Sequence, residues 1–369
     1  MTERNQSLDG LRGIAVILTF LVHYCGAYLT KFRGGNPNEI AFAGWSETFD
    51  KVLYWLFHSH HGVYIFFLLS GFLIARIVSN EGFDYRNFVV RRVKRIYPAF
   101  LLVLAACLFI TALAKGTFPG WINLAENLIF LNGAPGLNVP GIVFNNVTWS
   151  LFYEMTFYLA FPIVLAMSRA IRTPALLTAM IAGVLVPYAP MYMGVYSEFY
   201  LFLFAGAIIG LLPLSKLTCI ARLIPDAAVI LFYLTVTSLA TLNYLTATQF
   251  IWLFSAAGMV ILCKAITGTG VIARMLSFQP LVRLGRISYS FYLVHSIALI
   301  ALLTLSSRIW IPILGPIGNA IYLGLAGFAA SLAMGWASYM IAERSYFKDR
   351  ESLRITQLGM SLRGSSNQS

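Results

Sequence analysis

SLDGLRGIAVILTFLVHYCG, residues 7–26, carries an arginine at one end and a histidine deep inside an otherwise apolar run. About 20 apolar residues suffice to cross a bilayer as a helix, so this stretch is long enough. The rest of the chain fits that reading. Of its 369 residues 59% are apolar and only 11% charged, whereas soluble domains are nearer half and a quarter, roughly. Several further runs are nearly free of charge, which suits helices that satisfy their own backbone bonds in lipid. The weak alternation of a membrane barrel is absent from the sequence. The expected fold is therefore all-α: a bundle of about ten transmembrane helices, over 11–30, 62–80, 97–114, 149–168, 174–191, 197–213, 226–243, 249–267, 287–305 and 318–341.

Charge gives an expected orientation. With the N-terminus in the cytoplasm, the outside receives Lys31, Arg33, Lys51, Lys115 and Arg308, and the other 21 of the 26 basic residues fall inside or at that boundary. Basic residues collect in cytoplasmic loops, so both termini are expected there. The same rule accounts for the net charge of +12 without any nucleic-acid partner. Trp45, Trp121, Trp149 and Trp310 fall near the outer boundary, where amphipathic rings settle. The segment 121–132 is too short to span and carries Glu126, as an interfacial or re-entrant piece would. Residues 1–348 are expected to form one integral membrane domain and 349–369 a polar cytoplasmic tail. The first apolar stretch is too long for a signal peptide, and a retained helix is expected. GAIIG at 206–210 reads as a small-residue helix contact. Cys25, Cys107, Cys219 and Cys263 show no metal-like spacing and read as small core residues. HSHH at 58–61 reads as a wet loop, so no metal site is expected.

Titratable groups inside lipid are costly and mark a function or a pairing. At 1.5 Å per residue, His23 lies about 16 Å above Arg12 and on nearly the same helix face. Ser70, in FFLLSGFL, is about 12 Å below the outer surface, and Glu154, in TWSLFYEMTF, about 7 Å below Trp149. Three helices would thus bring an imidazole, a hydroxyl and a carboxylate to one layer. His295, about 12 Å into its span from the inside, is expected lower than His23. An imidazole takes a proton from an alcohol at neutral pH, and a carboxylate can orient it. A His–Glu bond that only pins helices is the plainer alternative. On the inner side YRNFVVRRVKRIYPAF, residues 85–100, packs Arg86, Arg91, Arg92, Lys94 and Arg95 together. Arg92 and Arg95 share a helix face. That density suits phosphate groups, which arginine binds in a bidentate manner.

Five blocks, LDGLRGIAVILTFLVHY, FFLLSGFLIARI, RRVKRIYPAF, TWSLFYEMTFYLAFP and ISYSFYLVH, occur in the order seen in the membrane-bound acyltransferase-3 family. The chain resembles that family over nearly its whole length. The family includes O-acetyltransferases of lipopolysaccharide, exopolysaccharide, peptidoglycan and Nod factor. The resemblance implies acyl transfer from cytosolic acetyl-CoA, a co-substrate, to a hydroxyl of an extracytoplasmic saccharide or glycolipid at a bacterial inner membrane. It implies that His23 is the catalytic histidine, that Arg12 is its partner, and that Arg92 and Arg95 form the acyl-CoA motif. Glu154 matches the family's acidic residue. Ser70 is expected to donate to an oxyanion or relay the acyl group, and Arg91 to join the phosphate clamp. Asp9, Trp149, Ser150, Tyr292 and His295 are further site candidates within the blocks. The chain resembles members without a C-terminal SGNH domain, so a separate periplasmic partner is a further expectation. A proton-coupled saccharide transporter is the rival, since intramembrane His and Glu also relay protons.

Overall fold

The computed structural model describes residues 5–58, 61–134, 137, 139–141, 147–170, 172–188 and 198–346. The tail expected at 349–369 and His60 of the HSHH cluster lie outside them. Among the described residues there is no strand, and the chain runs as α1 (Gln6–Phe32), α2 (Thr48–His58), α3 (His61–Val78), α4 (Tyr85–Lys115), α5 (Trp121–Leu128), α6 (Trp149–Ala170), α7 (Ala175–Tyr188) and α8 (Glu198–Leu211). It continues as α9 (Leu214–Leu223), α10 (Asp226–Thr241), α11 (Ala247–Thr267), α12 (Gly270–Leu276), α13 (Gln279–Arg286), α14 (Ser288–Ile309) and α15 (Gly315–Ser338).

A helix stands on each of the ten stretches read as spans, and among the described residues seven helical segments are long and apolar enough to cross a bilayer. An eighth is possible if α8 and α9 count as one span, although they meet at 112°. The others, α7 and α10, have 14 and 16 described residues. The molecule is thus a multi-pass membrane protein. The short α5 agrees with the non-spanning reading of 121–132. Cys25, Cys107 and Cys263 are buried, but Cys219 is exposed on α9, so it is not a core residue.

Two close helix contacts set the frame. The polar opening of α1 lies in a cradle made by α12 and α13. A Cβ on Gly10 would stand 1.6 Å from the Leu276 carbonyl oxygen, and one on Gly285 would stand 1.7 Å from that of Asp9. Asn5 caps α1 by accepting from the Leu8 N–H at 3.2 Å, and its amide donates to the Ala265 and Ile266 carbonyls of α11. With those faces of α1 covered, Arg12 is left to point elsewhere. The second contact joins α3 to α8. A Cβ on Gly71 would meet the Leu203 carbonyl oxygen at 1.9 Å, and one on Gly206 the Leu68 oxygen at 2.0 Å. The small residues of GAIIG therefore serve the packing read from sequence.

The upper half of α1 is fastened to α15. Tyr24 donates to the Ala320 carbonyl and Tyr28 to that of Pro316 at 2.9 Å. Phe20, Phe291 and Phe328 close the seam among α1, α14 and α15 with ring centroids 5.3–6.3 Å apart. On the far side, the buried Lys264 ammonium donates to the Ala221 and Ile224 carbonyls at 2.8 Å and pairs with Asp226 at 2.5 Å. A buried ammonium is tolerable only when paired and bonded in this way.

Candidate active site

Five helices, α1, α3, α4, α6 and α14, leave a cavity of about 80 Å³ among them. It is lined together by Arg12, Ser70, Arg92, Arg95, Ser150, Glu154 and Tyr292, seven of the residues singled out from sequence. The helix period explains which arginines reach it. Arg92 and Arg95, three apart on α4, face inward, while Arg91 is exposed and donates through Nε to the Asn87 carbonyl of its own helix at 3.1 Å. Arg91 therefore does not join the cluster, because one residue of shift turns a helical side chain by about 100°.

Each guanidinium is held differently. Arg12 pairs with the buried Asp9 at 3.0 Å, its neighbour one turn earlier. Arg92 lies beside two rings that meet edge to face, 5.2 Å from Phe88 and 5.3 Å from Tyr158. That contact orients the guanidinium without neutralising it. Among the described residues neither Arg92 nor Arg95 has a carboxylate within ion-pair distance. Three guanidiniums beside two carboxylates leave the lining formally cationic. In a low-dielectric wall such an excess attracts an anion strongly.

Beside them sits a hydroxyl–carboxylate set. Ser70 donates to Glu154 Oε1 at 2.5 Å, and Tyr158 donates to Oε2 at 3.0 Å. The sequence reading put His23, Ser70 and Glu154 in one layer above Arg12 and paired Glu154 with His23. Instead Ser70 and Glu154 line one cavity with Arg12, and neither His23 nor His295 is among its lining residues. Both Glu154 oxygens are taken up by hydroxyl groups, and the ring beside His23 is that of His295. Their centroids are 5.0 Å apart, so His295 is level with His23 rather than below it. The offset arises because α12 and α13 cradle the start of α1, and α14 begins only after them, already some way along α1. His295 is 1% exposed, its Nδ1 lies 2.6 Å from the Tyr292 carbonyl, and its Nε2 has no hydrogen-bond partner.

Tyr292 links the two groups. Its ring lines the cavity and lies 5.7 Å from that of His295. Its hydroxyl is 2.8 Å from Ser150 Oγ and donates to the Val147 carbonyl at 2.8 Å. Trp149 does not reach the cavity; its ring packs on Phe199 of α8 at 4.9 Å. Tyr158 and Tyr289, which line the cavity, were not singled out from sequence. Tyr158 was legible in principle, since it falls one turn after Glu154 and so shares its face.

The fold and site define a class: a multi-pass helical membrane protein with a cavity between its helices lined by fixed cations and by a hydroxyl–carboxylate pair. The comparison with known families gives the particular group. The acyltransferase-3 model, an acyltransferase domain, matches residues 5–340, and the chain belongs to that family. It is similar to the exopolysaccharide production protein ExoZ of Rhizobium meliloti, 30% identical over 82% of this chain and 97% of that protein. It is also similar to the O-acetyltransferase OatA of Staphylococcus aureus, 25% identical over 65% of this chain and 46% of that protein. The acyltransferase MdmB of Streptomyces mycarofaciens is 31% identical over 43% of this chain and 39% of that protein. The chain thus spans about half the length of OatA. No solved structure matches.

Proposed function

We propose that this protein is an O-acyltransferase that carries a small acyl group, acetyl, from cytosolic acyl-CoA to a hydroxyl of an extracytoplasmic saccharide. The observation that carries this reading is one cavity lined at once by Arg12, Arg92, Arg95, Ser70 and Glu154. Membership of the family and similarity to the O-acetyltransferase OatA and the exopolysaccharide production protein ExoZ support the acyl group and the saccharide. In this reading both termini are cytoplasmic, the chain crosses a bacterial inner membrane ten times, and the arginines line the cytoplasmic end of the path. A separate periplasmic partner presents or releases the acceptor.

Arg92 and Arg95, with Arg12 beside them, bind the phosphates of the coenzyme, because fixed guanidiniums suit phosphate oxygens. His23, about 16 Å further along α1, takes the proton of the acceptor hydroxyl as that oxygen attacks the thioester carbonyl. The carbon–sulfur bond breaks, and the proton passes from His23 to the departing thiolate. Ser70 directs its proton to Glu154. That direction favours Ser70 as a nucleophile whose proton Glu154 accepts over Ser70 as an oxyanion donor. In this variant the departing thiolate takes the proton from Glu154 and the acyl group rests on Ser70 Oγ. His23 then takes the acceptor's proton as the acceptor oxygen attacks the Ser70 ester, and returns it to Ser70 Oγ as the ester bond breaks.

Purified protein in nanodiscs, given labelled acetyl-CoA and alkali-treated envelope polysaccharide, tests the reading. Wild type should be stabilised thermally by coenzyme A and should label the polysaccharide. His23→Ala should keep the stabilisation and lose the labelling. Full labelling by that variant would end the proposal.

A further inference from the structure

Of the two imidazoles that meet between α1 and α14, only His23 has a part in the reaction above. His295 is the more deeply enclosed, and its two nitrogens have unlike surroundings. Nδ1 lies 2.6 Å from a carbonyl oxygen, which can only accept, so the neutral ring carries its proton there. Nε2 is then a lone pair, sealed from solvent and without a partner among the described residues. A buried acceptor left unbonded costs free energy and is uncommon in native proteins. The nearest ring able to supply a proton is His23, at 5.0 Å between centroids and 56° between planes. Two imidazoles joined by an N–H···N bond have centroids about 5 Å apart, given ordinary bond lengths. Their spacing is already that of a bonded pair, although no bond to Nε2 is made in the present rotamers. Turning His23 about its outer side-chain torsion, which is soft, closes the bond.

We infer that His295 is the positioning residue of His23: its Nε2 accepts the N–H of His23, so that the other nitrogen of His23 presents its lone pair to the acceptor hydroxyl. This rests on the acyltransferase reading and assigns to a second imidazole the task that the sequence had given to Glu154. The proton balance is closed within the pair. When His23 takes the acceptor's proton it becomes an imidazolium, whose N–H still points at Nε2, and that bond steadies the charge until the thiolate receives the proton. His295 itself gains and loses nothing, because its own proton stays on Nδ1, bonded to the Tyr292 carbonyl. Tyr292, whose carbonyl holds that proton and whose ring lines the cavity, fixes the pair to the donor side.

Two substitutions separate this role from packing. His295→Phe keeps the ring volume and removes the acceptor, and His295→Gln keeps an acceptor on a smaller side chain. Transfer of labelled acetyl to the envelope polysaccharide should fall about 100-fold in kcat for the Phe variant, within the usual contribution of a general base and its support. Its KM for acetyl-CoA and its stabilisation by coenzyme A should not change, and the Gln variant should recover about tenfold. Wild-type kcat in His295→Phe, or equal losses in both variants, would overturn the assignment. Nitrogen-15 spectra of histidine-labelled wild type give a test that needs no activity and no folded His295 variant. One imidazole should be in the Nδ1–H form with a hydrogen-bonded Nε2, and that Nε2 resonance should move in His23→Ala. An unmoved resonance overturns the pairing. If wild type shows the paired spectrum and yet transfers nothing from acetyl-CoA, the acyltransferase reading fails while the pair stands.

Discussion

Glu154 is the residue whose surroundings changed its assignment most. Its oxygens accept from Ser70 and Tyr158, and the guanidinium of Arg92 rests on the Tyr158 ring. One carboxylate thereby joins the hydroxyl that faces the cavity to a cation that lines it. Glu154→Gln keeps the shape and removes the charge, so transfer should fall at least tenfold while coenzyme A still stabilises the protein, since charge-assisted bonds are worth about 1.5–3 kcal/mol. Arg92→Lys keeps the charge but loses the flat group that packs on Phe88 and Tyr158. The KM for acetyl-CoA should rise about tenfold, with a smaller change in kcat, as measured in the same assay. Much of this site was legible from residue types alone, because charged groups are rare in lipid, but depth was read less well: Ser70 and Glu154 share a cavity with Arg12 that His23 does not line. Pairings were not legible. Counting along a helix gives height and face, but the choice between Glu154 and His295 as the neighbour of His23 depends on which helices lie side by side. Arg91 shows the same limit: a basic run gives a cluster, and only the bundle selects the members that face inward.

At the scale of elements, α1 owes its aim to helices that do not touch the site. Gly285 lets the backbones of α13 and α1 meet at Asp9, whose carboxylate holds Arg12. Gly285→Ala would need α13 to shift against backbone atoms, and overpacking of this kind costs about 1–3 kcal/mol. Thermal stability in detergent should fall, and the displaced Asp9 should also raise the KM for acetyl-CoA. An unaltered KM would mean that Arg12 is aimed by something else. Gly71→Val on α3 meets the Leu203 carbonyl in the same way and should lower folded yield, as size-exclusion chromatography in detergent reads it. The long apolar helices were plain in the sequence because bilayer thickness dictates their length. The short ones were hidden: α12 and α13 have 7 and 8 residues and read as a loop between spans. That omission is why α14 was expected to begin lower along α1 than it does.

For the whole molecule, the side of the membrane on which each end lies is the property that assigns donor and acceptor. Cys219 on α9 is exposed, whereas the other three cysteines are buried. With the N-terminus in the cytoplasm, α9 follows an inward span, so an impermeant maleimide should label Cys219 only after cells are opened. Labelling of intact cells would reverse the donor and acceptor sides. The cradle around the start of α1 has a further consequence, for biogenesis. Among the described helices α1 is the earliest to leave the ribosome, yet the cradle, the second imidazole and the α15 carbonyls that secure its tyrosines all come from α12 to α15. Through most of synthesis the nascent protein must therefore keep an arginine and a histidine in lipid, or beside an insertase, without their final neighbours. Only arrival of the closing helices completes the chamber, so a ribosome that stops early leaves an inserted but inert product.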